Sequence, residues 1–60
     1  MKPWAEEYLK TIGEIEAHDA QLSVAERAFV VALRKQVEAE TAVSRYKAVR
    51  LNELWERVTS

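Results

Sequence analysis

The sequence predicts an all-α fold: a small three-helix bundle forming a single helical domain over residues 1–60. Three observations predict it. The chain is rich in Ala, Glu, Leu, Lys and Arg and holds one glycine and one proline, a composition that favours helices. Apolar residues recur at spacings of three and four along three separate stretches. Two serines, Ser23 and Ser44, each stand just before such a stretch, where an N-cap belongs.

The first helix is expected near residues 3–19. Pro3 suits a first helical turn, where its missing N–H is no loss. Trp4, Tyr8, Ile12 and Ile15 then share one face, and Glu6 and Glu7 lie at the positive end of the helix dipole. The helix should fade around Ala17 to Ala20. The second helix is expected near 24–39. Ser23-Val24-Ala25-Glu26 reads as a capping box, in which the serine oxygen accepts from the Glu26 N–H and the glutamate reaches back. Phe29, Val30, Leu33 and Val37 form its apolar stripe, with Arg27, Arg34 and Glu38 opposite.

The third helix, near 45–58, depends on a break in the stretch AETAVSRYK (residues 39–47), which has neither glycine nor proline. In one continuous helix from Val24 to Val58, the apolar face drifts through Ala42, Val43 and Tyr46. Gln36, Glu40 and Lys47 would then fall on the side to be buried. An imperfect repeat resolves this. Leu22-Ser23 is followed by Val30, Leu33 and Val37, and Val43-Ser44 by Leu51, Leu54 and Val58 at the same offsets. Ser44 therefore reads as a second N-cap, its box incomplete because Lys47 stands where a glutamate would. The alternative is a helical hairpin with one long second helix forming a dimer. An up-down-up bundle would place Trp4 near Val37, Val43 and Tyr46, and Trp55 near Ile15, Leu22 and Ala25.

Size and composition narrow the function. A chain this short buries only about 60% of its unfolded surface. It has no cysteine for a disulfide or thiolate metal site, and a single histidine, His18. Its longest apolar run, Ala28 to Leu33, is too short to cross a membrane. The opening MKPWAEEYLK lacks the apolar stretch of a secretory signal, so a cytoplasmic location is expected. The formal net charge is −1, acidic at the front and basic at the back.

Little in the chain points to catalysis, a metal or a cofactor, and the protein is expected not to be an enzyme. Glu14 and His18, four apart, are the best pair of titratable groups, but two ligands are too few for a zinc site. Binding surfaces are more promising. Gly13 and Ala17 form a small-residue face on the first helix that would let another helix approach. On the later helices Val31 and Val49 point away from the core stripes, with Tyr46 between. Together with Arg45 and Arg50 they read as a patch for a protein partner, where tyrosine and arginine are enriched. Arg45, Lys47 and Arg50 also make a nucleic-acid reading of the third helix conceivable. Glu53, Glu56 and the acidic first helix oppose it through phosphate repulsion. Self-association as a homodimer is a third reading.

Residues 22–58 read L-S-x3-R-x-F-V-x2-L-R-x-Q, a spacer, then V-S-x6-L-x2-L-W-x-R-V. This pattern resembles short helical modules of phage and mobile-element proteins, some joined to replication or nuclease proteins. In those modules the spacer is usually basic and holds glycine, and a glutamine often follows the second capping serine. Here the spacer is Glu38-Ala39-Glu40-Thr41-Ala42, with Lys47 at the glutamine position. The resemblance implies a helix–turn–helix pair after Leu22 and a phage or plasmid setting, with no catalytic residue. The expected function is binding of a partner protein, as a phage-type accessory or inhibitor.

Overall fold

The chain does turn between Ala39 and Ser44, and the residues that would have spoiled a continuous helix build the turn. In the computed structural model, which describes all of residues 1–60, helix α1 spans Pro3–Glu16, α2 spans Val24–Glu38 and α3 spans Arg45–Thr59. At the end of α2 the Glu40 N–H donates to the Val37 carbonyl at 2.9 Å and the Thr41 N–H to the Gln36 carbonyl at 3.0 Å. This is the Schellman pairing of a helix C-terminus. Its left-handed position, usually glycine, is held by Glu40 at φ 57°, at a cost of about 1–2 kcal/mol. Side chains offset that cost. Gln36 Nε2 donates to the Ala42 carbonyl at 2.7 Å, and Lys47 Nζ donates to Gln36 Oε1 at 2.8 Å.

Ser44 then caps α3, its hydroxyl accepting from the Lys47 N–H at 3.3 Å. Lys47 takes the glutamate's place in the box, and its side chain reaches across to α2 instead of back to the cap. Ser23 and Glu26 form the complete box that their spacing predicts, with bonds of 3.1 and 2.9 Å. A helix from Val24 to Val58 would be about 52 Å long at 1.5 Å per residue. The longest dimension of the molecule is 29 Å, so the long-helix hairpin does not form.

The first helix is shorter than the expected 3–19. Ala17 closes it, and His18, at φ −110° and ψ 34°, leaves the helical region. A single 3₁₀ turn, Asp19–Gln21, then swings the chain round so that Leu22 enters the core. A straight continuation would have carried Leu22 past the end of the bundle.

Ten buried residues make the core, and all are apolar: Ala5, Ile12 and Ile15 from α1, Leu22 from the connection after the 3₁₀ turn, Val30, Leu33 and Val37 from α2, and Leu51, Leu54 and Val58 from α3. The two core stripes set by the repeat are the ones buried. α1 packs against both α2 and α3. Trp4 and Val43 pack on the core that contains Val37, but Tyr46, expected beside them, is 72% exposed. Trp55 packs on the core that contains Ile15 and Leu22, while Ala25 faces solvent. No buried side-chain nitrogen or oxygen lacks a hydrogen-bond partner, so the interior makes no demand for a missing polar group. No helix is long and apolar enough to cross a membrane.

Candidate functional site

The three seams between helices are closed in different ways. The antiparallel α1–α2 seam is bridged by arginines. Arg34 donates through Nε and Nη2 to both carboxylate oxygens of Glu16, and Arg27 Nε donates to Asp19 at 2.8 Å. The antiparallel α2–α3 seam is also bridged along its length. Arg57 donates to both oxygens of Glu26, at 2.6 and 2.8 Å, and to the Gln21 carbonyl. Midway the Arg50 guanidinium lies over the Phe29 ring, 5.4 Å from its centroid, a favourable cation–π placement. Lys47 and Gln36 close the far end. The pairing with Arg57, reinforced by the Ser23 N–H, holds the Glu26 carboxyl down at about 2 against an ordinary 4.5. The same pair raises the Arg57 guanidinium further above its ordinary value, and Glu16 does so for Arg34.

The parallel α1–α3 seam has one polar tie, from Trp55 Nε1 to Glu14 Oε2 at 2.9 Å. Two turns nearer the N-terminal ends the seam opens into a cleft of about 270 Å³, lined by Glu7, Tyr8, Thr11, Ala48, Leu51 and Asn52. Parallel helices with Ala48 on the core side of α3 leave this gap, because alanine does not reach Tyr8 as a larger side chain would.

The residues singled out in the sequence spread over several faces. Gly13 is half-buried near the end of α1, and a methyl group added there would meet no atom within 4 Å. Ala17 is the exposed C-cap of α1. Their shared helical face ends there, because Ala20 belongs to the 3₁₀ turn. Val31 is 47% exposed. By helical spacing it lies beside Arg34, which reaches Glu16 of α1, and Arg27, which reaches Asp19 of the 3₁₀ turn. Tyr46 is exposed one turn from Arg50, whose guanidinium covers Phe29. Val49, 52% exposed, lies one turn from Arg45 on one side and from Asn52 of the cleft on the other. The structure therefore joins Tyr46 with Arg50, joins Val49 with Arg45, and sets Val31 apart. The outward side of α2 adds Val24, 82% exposed, and exposed Ala28 and Ala32, a stripe of small apolar residues beside Val31.

Of the three cations considered for nucleic acid, Lys47 is bonded to Gln36 and Arg50 packs on Phe29, which leaves Arg45 without a partner. The Glu14–His18 pair is also drawn apart: Glu14 serves Trp55, and His18 meets the Gln21 amide at 3.3 Å outside the helix. No group of three His, Cys, Asp or Glu side chains is positioned to hold a metal ion. Comparison with protein-family models, curated proteins and solved structures gives no match.

Proposed function

We propose that this chain acts by binding a partner protein, without catalysing a reaction. One observation carries the reading. Val24, Val31, Tyr46 and Val49 all stay exposed on α2 and α3 while a complete apolar core is buried beneath them. Scattered single apolar residues are ordinary on a surface. An exposed tyrosine beside arginine on α3, Tyr46 with Arg50, has the composition of a protein contact, and the α2 stripe of Val24, Ala28, Val31 and Ala32 adds exposed apolar area. The seams that fix these helices make the surface rigid, and a rigid surface loses little entropy on binding. The likeness of residues 22–58 to phage and mobile-element modules supports a phage-type accessory or inhibitor role, in the cytoplasm.

The test is affinity capture from host lysate with the wild-type chain, a Val31→Asp variant and a Tyr46→Ala/Val49→Ala variant. Circular dichroism would first establish that all three are folded. A discrete protein held by the wild type and lost from at least one variant is the expected result. Capture of nothing, or capture that both variants leave unchanged, would overturn the proposal. Light scattering on the same samples reads the homodimer directly: a dimer at micromolar concentration that Val31→Asp dissociates would replace a foreign partner with a second copy.

A further inference from the structure

We infer that the α1–α3 cleft receives an arginine side chain from the partner protein. The inference rests on the protein-binding reading and adds the chemistry of one contact. Its basis is a comparison inside the molecule. On the α2–α3 seam an aromatic ring and a carboxylate, Phe29 and Glu26, are each met by an arginine of the chain itself. The α1–α3 cleft offers the same two groups on α1, Tyr8 and Glu7. There α3 places Ala48 and Asn52 opposite them, and neither can supply a cation.

The free polar groups of the cleft favour a donor. The Glu7 carboxylate takes part in no ion pair and no hydrogen bond; only its backbone carbonyl is engaged, accepting from the Thr11 hydroxyl at 3.2 Å. Asn52 Nδ2 donates to Glu56 at 3.1 Å. A carboxylate accepts only, so the amide must turn its nitrogen that way, which leaves Oδ1 without a partner. The floor is apolar: Leu51 is buried, and Tyr8 is braced by Trp4 in a T-shaped contact at 6.2 Å. An arginine suits both parts. Its methylene stem covers Leu51 and Ala48, and its planar guanidinium can lie on the Tyr8 ring and pair with Glu7. At about 270 Å³ the cleft falls just below the range of small-molecule pockets and has room for one long side chain. Arg45, the unpaired cation nearest along α3, forms no ion pair with Glu7. As a charge like the incoming one it opposes arginine entry, so its removal should not weaken it.

The experiment is an amide-shift NMR titration of the full 60-residue chain with N-acetyl-arginine amide and with its uncharged isostere, N-acetyl-citrulline amide. The arginine probe should saturate, with shifts centred on Tyr8, Thr11, Ala48 and Asn52. The citrulline probe should bind roughly tenfold more weakly, since it lacks the charge-assisted bond. Glu7→Gln should reduce the arginine probe to the citrulline level, and Arg45→Ala should leave it unchanged or tighter. Equal binding of the two probes, shifts centred elsewhere, or no saturation with the arginine probe would each overturn the inference. A lysate partner held equally by wild type and Glu7→Gln would remove the cleft contact and leave the protein-binding reading standing. A cleft that takes the arginine probe in a chain that captures no protein would overturn the protein-binding reading and, with it, the assignment of the arginine to a partner protein.

Discussion

The α2–α3 seam and the α1–α3 seam use the same core and the same third helix, yet one is bridged by three cations of α3 and the other by a single tryptophan. Each leaves a cleft, of about 190 Å³ and about 270 Å³ respectively. Along α2–α3, Arg57, Arg50 and Lys47 each find an acceptor or a ring on α2. Along α1–α3 only Trp55 reaches across. The difference comes from which long cations of α3 find a partner. The side turned to α2 holds Lys47, Arg50 and Arg57, and the side turned to α1 holds Ala48 and Asn52, with Arg45 one turn before them and paired with nothing. The three cations that bridge are all on the α2 flank, while Arg45 on the other flank reaches no group of α1. On the α1 side the Glu7 carboxylate is left without a partner beside the cleft over Leu51.

The strongest way to break this comparison is to cut the core beneath each seam. Leu33, 1% exposed, lies in the enclosed core, whereas Leu51, 2% exposed, floors the open cleft. Leu33→Ala should lower unfolding free energy by about 2–5 kcal/mol, the range for a buried leucine. Leu51→Ala should fall at the lower end of that range, because neighbours and water can enter the space from the cleft. Urea unfolding followed by circular dichroism measures both. A larger loss at Leu51 than at Leu33 would mean that the cleft is sealed in solution.

Acid tests the cation-bridged seam by itself. Glu26 titrates at about 2 when folded and at an ordinary 4.5 when unfolded. Its folded-state value is depressed, so its contribution is fully present above pH 4.5 and is lost as pH falls from there through about 2. Arg57→Gln should return the Glu26 carboxyl most of the way toward 4.5, leaving only the smaller effect of the Ser23 N–H. Carbon-detected NMR titration of the side chain reads this. Unfolding curves of the variant should then depend less on pH between 4.5 and 2 than those of the wild type.

Trp55→Phe sharpens the α1–α3 seam. It keeps most of the ring on the core but removes the single polar tie to Glu14. The expected loss is about 1 kcal/mol, typical of one hydrogen bond, with the amide shifts of α1 and α3 moving most. A smaller and opposite effect is expected at the turn that aims α3. Glu40→Gly relieves a left-handed backbone at φ 57° and should stabilise the chain by up to about 1 kcal/mol. Gly13→Ala, whose added methyl meets only open space, should gain a similar amount through helix propensity. Thermal unfolding resolves both. Failure of Glu40→Gly to stabilise would show that the glutamate side chain contributes more than its backbone costs.

How far each feature was legible follows from its range along the chain. The Ser23–Glu26 box and the Ser44 cap involve residues three apart, so their chemistry is fully written in local sequence. The core stripes of α2 and α3 were legible for the same reason, through spacing and the repeat. The break near Glu40 was legible only as a conflict: Gln36, Glu40 and Lys47 could not all be buried in one helix, and the structure uses all three to make the turn. Ala5, fully buried, escaped the sequence reading because alanine carries little hydropathic signal of its own. Of the cleft, Tyr8 and Leu51 had been singled out as members of the α1 and α3 stripes and Glu7 for its place at the helix dipole, none of them as lining one site. The α1 residues Glu7, Tyr8 and Thr11 and the α3 residues Ala48, Leu51 and Asn52 come together across two intervening turns of chain, and the one trace of the gap in sequence is an alanine on the core side of α3.

The sequence by itself determined three helices, their caps, and which stripe of each turns inward, because these depend on contacts within a few residues and on the 3.6-residue period. Only the tertiary structure decided which flanks meet. The Trp55–Glu14 bond joins residues 41 apart and the Arg57–Glu26 pair joins residues 31 apart. Such pairings depend on the rotation and height of one helix against another, which two turns, Ala17–Ser23 and Ala39–Ser44, impose together with the packing of the core.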